Sequence, residues 1–180
     1  SEGCQPEDIE YLYNVLSNDE SANFYQDLHL DIKNDIDLGK NMSATIMSYQ
    51  LFEVWVKNAF ISGLSHDEET SWEDAKEIIT NDGEFIDFNN ILLNCLKHHL
   101  EVNFKQYSNY DEWRSELYEI RHNVIHEGHT PSKSDAKNAH THAISGIEHI
   151  QKQLGKRIES TQESVNFRSI VESPDASRHK

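Results

Sequence analysis

The run Arg121-His122-Asn123-Val124-Ile125-His126 gathers the residue types best suited to chemistry in this chain. A guanidinium is a permanent cation whose fork of donors matches phosphate oxygens. An imidazole, with an ordinary pKa of about 6.5, takes or gives a proton near neutral pH. Breaking a phosphodiester without a metal needs a base for the attacking hydroxyl and an acid for the leaving oxygen. It also needs a fixed cation for the charge that builds on phosphorus. Arginine and histidine supply all three roles if more than one histidine reaches the site.

Stepping outward, the segment belongs to a predicted helix from about Tyr110 to Glu127. With ~100° per residue, Trp113, Leu117, Ile120 and Val124 share a ~60° arc that must be the core side. Arg121 lies on the flank of that arc. His122 and His126, four apart, are neighbours on the far side. Tyr118 and Ile125 join them there as a second, partly apolar stripe, which calls for a second packing partner, either another helix or a second copy of the chain. Arg121 and His126 diverge by ~140° around a regular helix, so one helix cannot aim both at one atom. Two copies about a two-fold axis can.

The stretch Glu116-Leu-Tyr-Glu-Ile-Arg-His-Asn-Val-Ile-His-Glu-Gly128, followed by a polar loop and another helix, resembles the signature of the HEPN superfamily. That signature is an arginine, a polar residue, three variable residues and a histidine near a helix end. The earlier segment Tyr49-Gln50-Leu51-Phe52-Glu53 is similar to the family's amphipathic first-half helix, and the resemblance covers about residues 36–158. It implies a homodimeric helical bundle and a metal-independent endoribonuclease of toxin–antitoxin or anti-phage defence, with RNA as substrate. By resemblance Arg121 and His126 are the catalytic pair and His122 a supporting group. An antitoxin or a larger defence complex is the implied partner. The alternative is a non-catalytic interaction module of the same fold. In toxins of the family silenced by nucleotidylation, a tyrosine follows the histidine by two positions. Gly128 stands there, which puts that control in doubt.

Plainer roles stand beside these. Arg121 has Glu53, Glu116 and Glu119 as candidate ion-pair partners. His126 suits a helix C-terminus through the helix dipole. Glu53 either pairs with Lys57 one turn on or orients Arg121. Lys133 and Lys137, one turn apart, either contact RNA phosphates or face solvent. Tyr118 and Ile125 are the expected dimer interface. His122, His126 and His129 also have ligand-like spacing, but no cysteine joins them, Gly128 breaks the helix, and His122–His126 lacks the glutamate of the zinc-protease motif. No metal and no cofactor are therefore expected.

The rest of the chain must build the scaffold. Leu, Ile, Val and Phe make up 43 of 180 residues, above the ~20% typical of disordered chains. Three prolines and seven glycines leave long periodic stretches between them, which favours helices. The expected fold is all-α, a bundle of about five helices forming a two-fold dimer. Its parts are an N-terminal helical segment (1–35), the bundle (36–159) and a polar tail (160–180). Asn41–Ile61 is a helix with the stripe Met42, Ile46, Tyr49, Phe52, Val56 and Phe60. Ser71 caps a further helix that Asn81-Asp82-Gly83 ends. Gly128 stops the motif helix, and Ser132 with Asp135 starts a last one whose inner face begins small, with Ala136, His140 and Ala143.

The net charge is −16, unevenly spread: residues 1–100 carry 20 acids against 5 Lys and Arg, residues 101–180 carry 12 against 11. Six of the 11 histidines fall between His122 and His149, so the second half is the one suited to meet phosphate. Two cysteines make no disulfide framework, and no apolar run approaches the ~18 residues of a membrane span. A reducing cytoplasm and no membrane partner follow as expectations.

Overall fold

The computed structural model describes residues 21–65 and 70–158. The expected tail 160–180 and residues 1–20 lie outside them. The described chain is all-α apart from one two-stranded hairpin. Six helices run in order: α1 (Ser21–Asp37), α2 (Asn41–Ser65), α3 (Trp72–Ile78), α4 (residues 88–100), α5 (residues 110–126) and α6 (Lys133–Ile158).

Helix α2 is the axis of the bundle. Residues on nearly every side of it are buried, from Ala44 through Phe52, Trp55 and Phe60 to Leu64. It packs on α6, α1, α3 and α5. Its buried Thr45 and Ser48 hydroxyls donate to its own turn, Thr45 to the Asn41 carbonyl and Ser48 to that of Ala44, so they cost little to bury. The closest approach is to α6, where a Cβ added at Gly146 would lie 2.8 Å from Phe52 Cε2. The small early face expected for α6 is thus used: Ala136, Ala139 and Ala143 are all fully buried.

The boundary expected at residue 36 coincides with no break in the helices. It falls inside α1, whose Tyr25, Ile32 and Ile36 enter the same core as α2. The stretch Asn81-Asp82-Gly83 does not end a helix either. Helix α3, capped as expected by Ser71, stops at Ile78, and Asp82 and Gly83, both at positive φ, turn a hairpin that pairs Thr80 with Phe85 and Asn81 with Glu84.

Helices α4 and α5 are each interrupted by a wider π turn, at Ile91–Cys95 and Arg114–Glu119. A π turn holds one residue more than an α turn, so everything downstream lags by about one residue, or ~100°. This changes the face of α5 relative to the regular-helix expectation. Trp113, Leu117 and Val124 are buried, while Ile120 is only half-buried.

Candidate functional site

Helix α5 ends at His126, and the chain turns away through Gly128 at φ +66°. The amides of Glu127 and His129 both donate to the Asn123 carbonyl, at 2.9 and 3.1 Å, closing the helix end as the glycine predicted. Ser132 and Asp135 then cap α6 reciprocally. The Ser132 amide donates to Asp135 Oδ2 at 2.8 Å, and the Asp135 amide to Ser132 Oγ at 3.1 Å. Hydrogen bonds from the Ser132 amide and, after it, the Ser132 side chain hold the Asp135 carboxyl below the ordinary range. The loop that follows the motif is therefore fixed at both ends by local sequence.

Arg121 is half-buried, and its guanidinium carbon lies 4.8 Å from the centre of the Tyr49 ring on α2. The Tyr49 phenol is itself buried, and burial raises its pKa, so its hydroxyl stays neutral. None of the three carboxylates anticipated for Arg121 is its partner. Glu53 pairs with Lys57, Glu119 lies 3.3 Å from Arg114 Nε, and Glu116 lies 3.3 Å from His142 Nε2. Among the described residues Arg121 forms no ion pair, so its charge is met only by an aromatic face.

His122 and His126 come together as expected, with ring centroids 4.5 Å apart and both rings exposed. Arg121 and His126 do not converge within one chain. Both lie in the regular part of α5 beyond the π turn, so their ~140° divergence persists.

The outward stripe of Tyr118 and Ile125 divides. The π turn swings Tyr118 inward, with its ring centre 6.2 Å from that of Tyr49 and 6.3 Å from that of Trp113, and Asn89 Nδ2 donates to its hydroxyl at 3.1 Å. Tyr118 thus finds its partners inside its own chain. Ile125 stays outside at 45% exposure. Glu53 takes the plainer of its two roles, holding a Lys57 that is only 7% exposed and also lies over the Phe85 ring. Lys133 is exposed and reaches Asp37 at 3.6 Å, and Lys137 is exposed.

Two features escape a reading of the sequence. One is a histidine pair between α1 and α6: His29 Nδ1 and His140 Nε2 lie 3.0 Å apart, one ring donating to the other. Burial lowers the pKa of both, that of His140 to about 4. The two are 111 residues apart, so no local pattern signals them. The other is an open groove of about 580 Å³ between the α1–α2 turn and the loop after α5, lined by Met42, Ile46, Met47 and Pro131 among others. Met42 was counted in the apolar stripe of α2, and the structure leaves it exposed at the groove.

Among the described residues no three His, Cys, Asp or Glu side chains form a metal cage, and no helix is long and apolar enough to cross a membrane. Compared with models of protein families, with curated proteins and with solved structures, the chain gives no match.

Proposed function

We propose that this protein is a metal-independent endoribonuclease of HEPN type, working as a two-fold dimer in which Arg121 and His126 of both copies meet at one cleft. The observation that carries this reading is the unneutralised charge of Arg121. Of the three glutamates that could have neutralised it, Glu53 pairs with Lys57, Glu119 with Arg114, and Glu116 lies beside His142, while the guanidinium rests on Tyr49. A purely structural arginine gains most from a carboxylate partner, whereas one that receives phosphate gains from having none.

In the proposed reaction one His126 takes the proton of the 2′-hydroxyl, which attacks the adjacent phosphorus. The P–O5′ bond breaks, and the other copy's histidine protonates the leaving oxygen. The Arg121 guanidinium stabilises the added charge on the phosphoryl oxygens. The product is a 2′,3′-cyclic phosphate. A defence or toxin setting, with an antitoxin or a larger complex as partner, belongs to the same reading.

The apolar groove at Met42, Ile46, Met47 and Pro131 favours a second reading, an interaction module without activity. One experiment separates the two. Wild type and His126→Ala are incubated with mixed RNA in EDTA and the new ends are mapped. The ribonuclease reading expects 2′,3′-cyclic or 3′-phosphate ends and a loss of about 10²-fold or more in His126→Ala. Cleavage that needs a divalent metal, or that survives both His126→Ala and Arg121→Ala, rules it out.

A further inference from the structure

Two histidine pairs form in this fold, and they differ in the property that decides whether a pair can hold a cation. His29 and His140 already share a hydrogen bond, sit partly buried between α1 and α6, and feel the positive charge of Lys33. That bond occupies the lone pair of one ring, and the Lys33 charge repels a metal ion. His122 and His126 are the reverse case. Both rings are exposed, their centroids are 4.5 Å apart, and among the described residues neither takes part in a hydrogen bond.

Negative groups stand beside this second pair. His126 is the last residue of α5, where the free carbonyls form the negative end of the helix. Glu127 follows it. Arg121, next in sequence, turns its guanidinium to the face of Tyr49 and keeps its charge. Two imidazoles one turn apart on one helix face are also the spacing by which helices hold zinc.

We infer that His122 and His126 form a chelating surface site for a borderline divalent cation such as Zn²⁺, and that the captured ion blocks His126 as a proton-transfer group. The first half stands on geometry alone. The second half rests on the ribonuclease reading above. Coordination occupies the lone pair of one ring nitrogen, so that nitrogen can neither take nor give a proton while the ion stays. Because no third His, Cys, Asp or Glu among the described residues completes a cage, the other positions of a four-coordinate ion fall to water. The site is therefore an exchanging, inhibitory one rather than the seat of a resident cofactor. For a ribonuclease of this design, chelators should raise activity where trace zinc is present.

The test uses the 180-residue protein without a histidine tag. Zn²⁺ is titrated while the imidazole signals are followed by NMR. The expected result is that the His122 and His126 rings respond together, while those of His29 and His140 do not. His122→Gln removes one arm of the chelate and should weaken Zn²⁺ binding roughly tenfold or more. In parallel, the ratio of RNA cleavage in EDTA to that in Zn²⁺ is measured within each variant. It should be well above one for wild type and fall towards one in His122→Gln. Zn²⁺ responses confined to other histidines, or equal affinity in His122→Gln, overturn the site. Zn²⁺ bound at the pair with no change in cleavage overturns the block. If wild type cleaves no RNA even in EDTA, the ribonuclease reading and the block fall together, while the ring titration still decides the chelating site.

Discussion

The guanidinium of Arg121 lies over the ring of Tyr49, 4.8 Å from its centre, and so ties the motif helix α5 to the central helix α2. A cation on an aromatic face is worth roughly 0.5–2 kcal/mol, the larger figure where water is excluded. The ring also fixes the guanidinium more than a flexible surface carboxylate would. Tyr49 is thus a positioning residue for Arg121 in the proposed reaction. Tyr49→Phe keeps the face and should leave RNA cleavage within about threefold, since the lost hydroxyl is not what the cation meets. Tyr49→Leu should lower cleavage about tenfold or more, the rate equivalent of roughly 1.4 kcal/mol. Circular dichroism of both variants checks that the helices persist. Equal activity in Tyr49→Leu and Tyr49→Phe would remove Tyr49 from the site.

Ile125 tests the proposed assembly. With Tyr118 turned inward, Ile125 is the apolar side chain left exposed on the motif segment, between Arg121 and His126 in sequence. Covering such a side chain gains roughly 1.5–3 kcal/mol. Ile125→Asp is expected to keep the helical spectrum and thermal transition of wild type but to run as a monomer in light scattering and to lose cleavage. The core change Leu117→Asp should instead abolish folding, because Leu117 is fully buried. A wild-type monomer at micromolar concentration with full activity would refute the shared cleft.

The His29–His140 pair gives a pH dependence whose sign is fixed. Burial lowers both pKa values below the unfolded value, that of His140 to about 4. Above about pH 6.5 neither state holds the proton, and the pair's full contribution is present. As pH falls from there to about 4, the unfolded chain binds a proton that the folded one refuses, so stability drops by up to about 1.4 kcal/mol per pH unit for His140. The charge of Lys33 on α1 lowers both values in the same direction, and that of His29 adds to the lowering at His140. Asp35, held low chiefly by its hydrogen bond from Ser43, and Asp135 act only below about pH 4, so the windows separate. Urea unfolding at pH 7.5 and 5.0 measures the effect. In His140→Gln, where an amide still bonds to His29, the difference between the two pH values should shrink. An unchanged difference would assign it to other groups.

Gly146 sets the spacing of α2 and α6. An alanine Cβ there would meet Phe52 Cε2 at 2.8 Å, and that ring is itself locked between Trp113 and Phe104. The clash costs about 1–3 kcal/mol, against a gain of about 1 kcal/mol in helix propensity. Gly146→Ala should therefore lower the thermal midpoint. Gly155→Ala, where a Cβ meets nothing within 4 Å, should raise it or leave it unchanged. A midpoint raised by Gly146→Ala would show that the helices separate freely.

Local sequence determined the helices, several of their ends and the motif's place on them. Few glycines and prolines, the caps at Ser71 and Ser132 and the stop at Gly128 all act within a few residues, and the structure keeps each of them. The i, i+4 contact of His122 and His126 was legible for the same reason, since it depends only on regular helix geometry. Tertiary packing decided the rest. A period of 3.6 residues cannot foresee a π turn, which forms because Tyr118 gains a ring neighbour in Tyr49 and a hydrogen bond from Asn89, residues far away in sequence. Likewise, the choice of Lys57 for Glu53 was local, but the aromatic partner of Arg121 was not. It required α2 to lie against α5, and only the shape of the shared core brings them there.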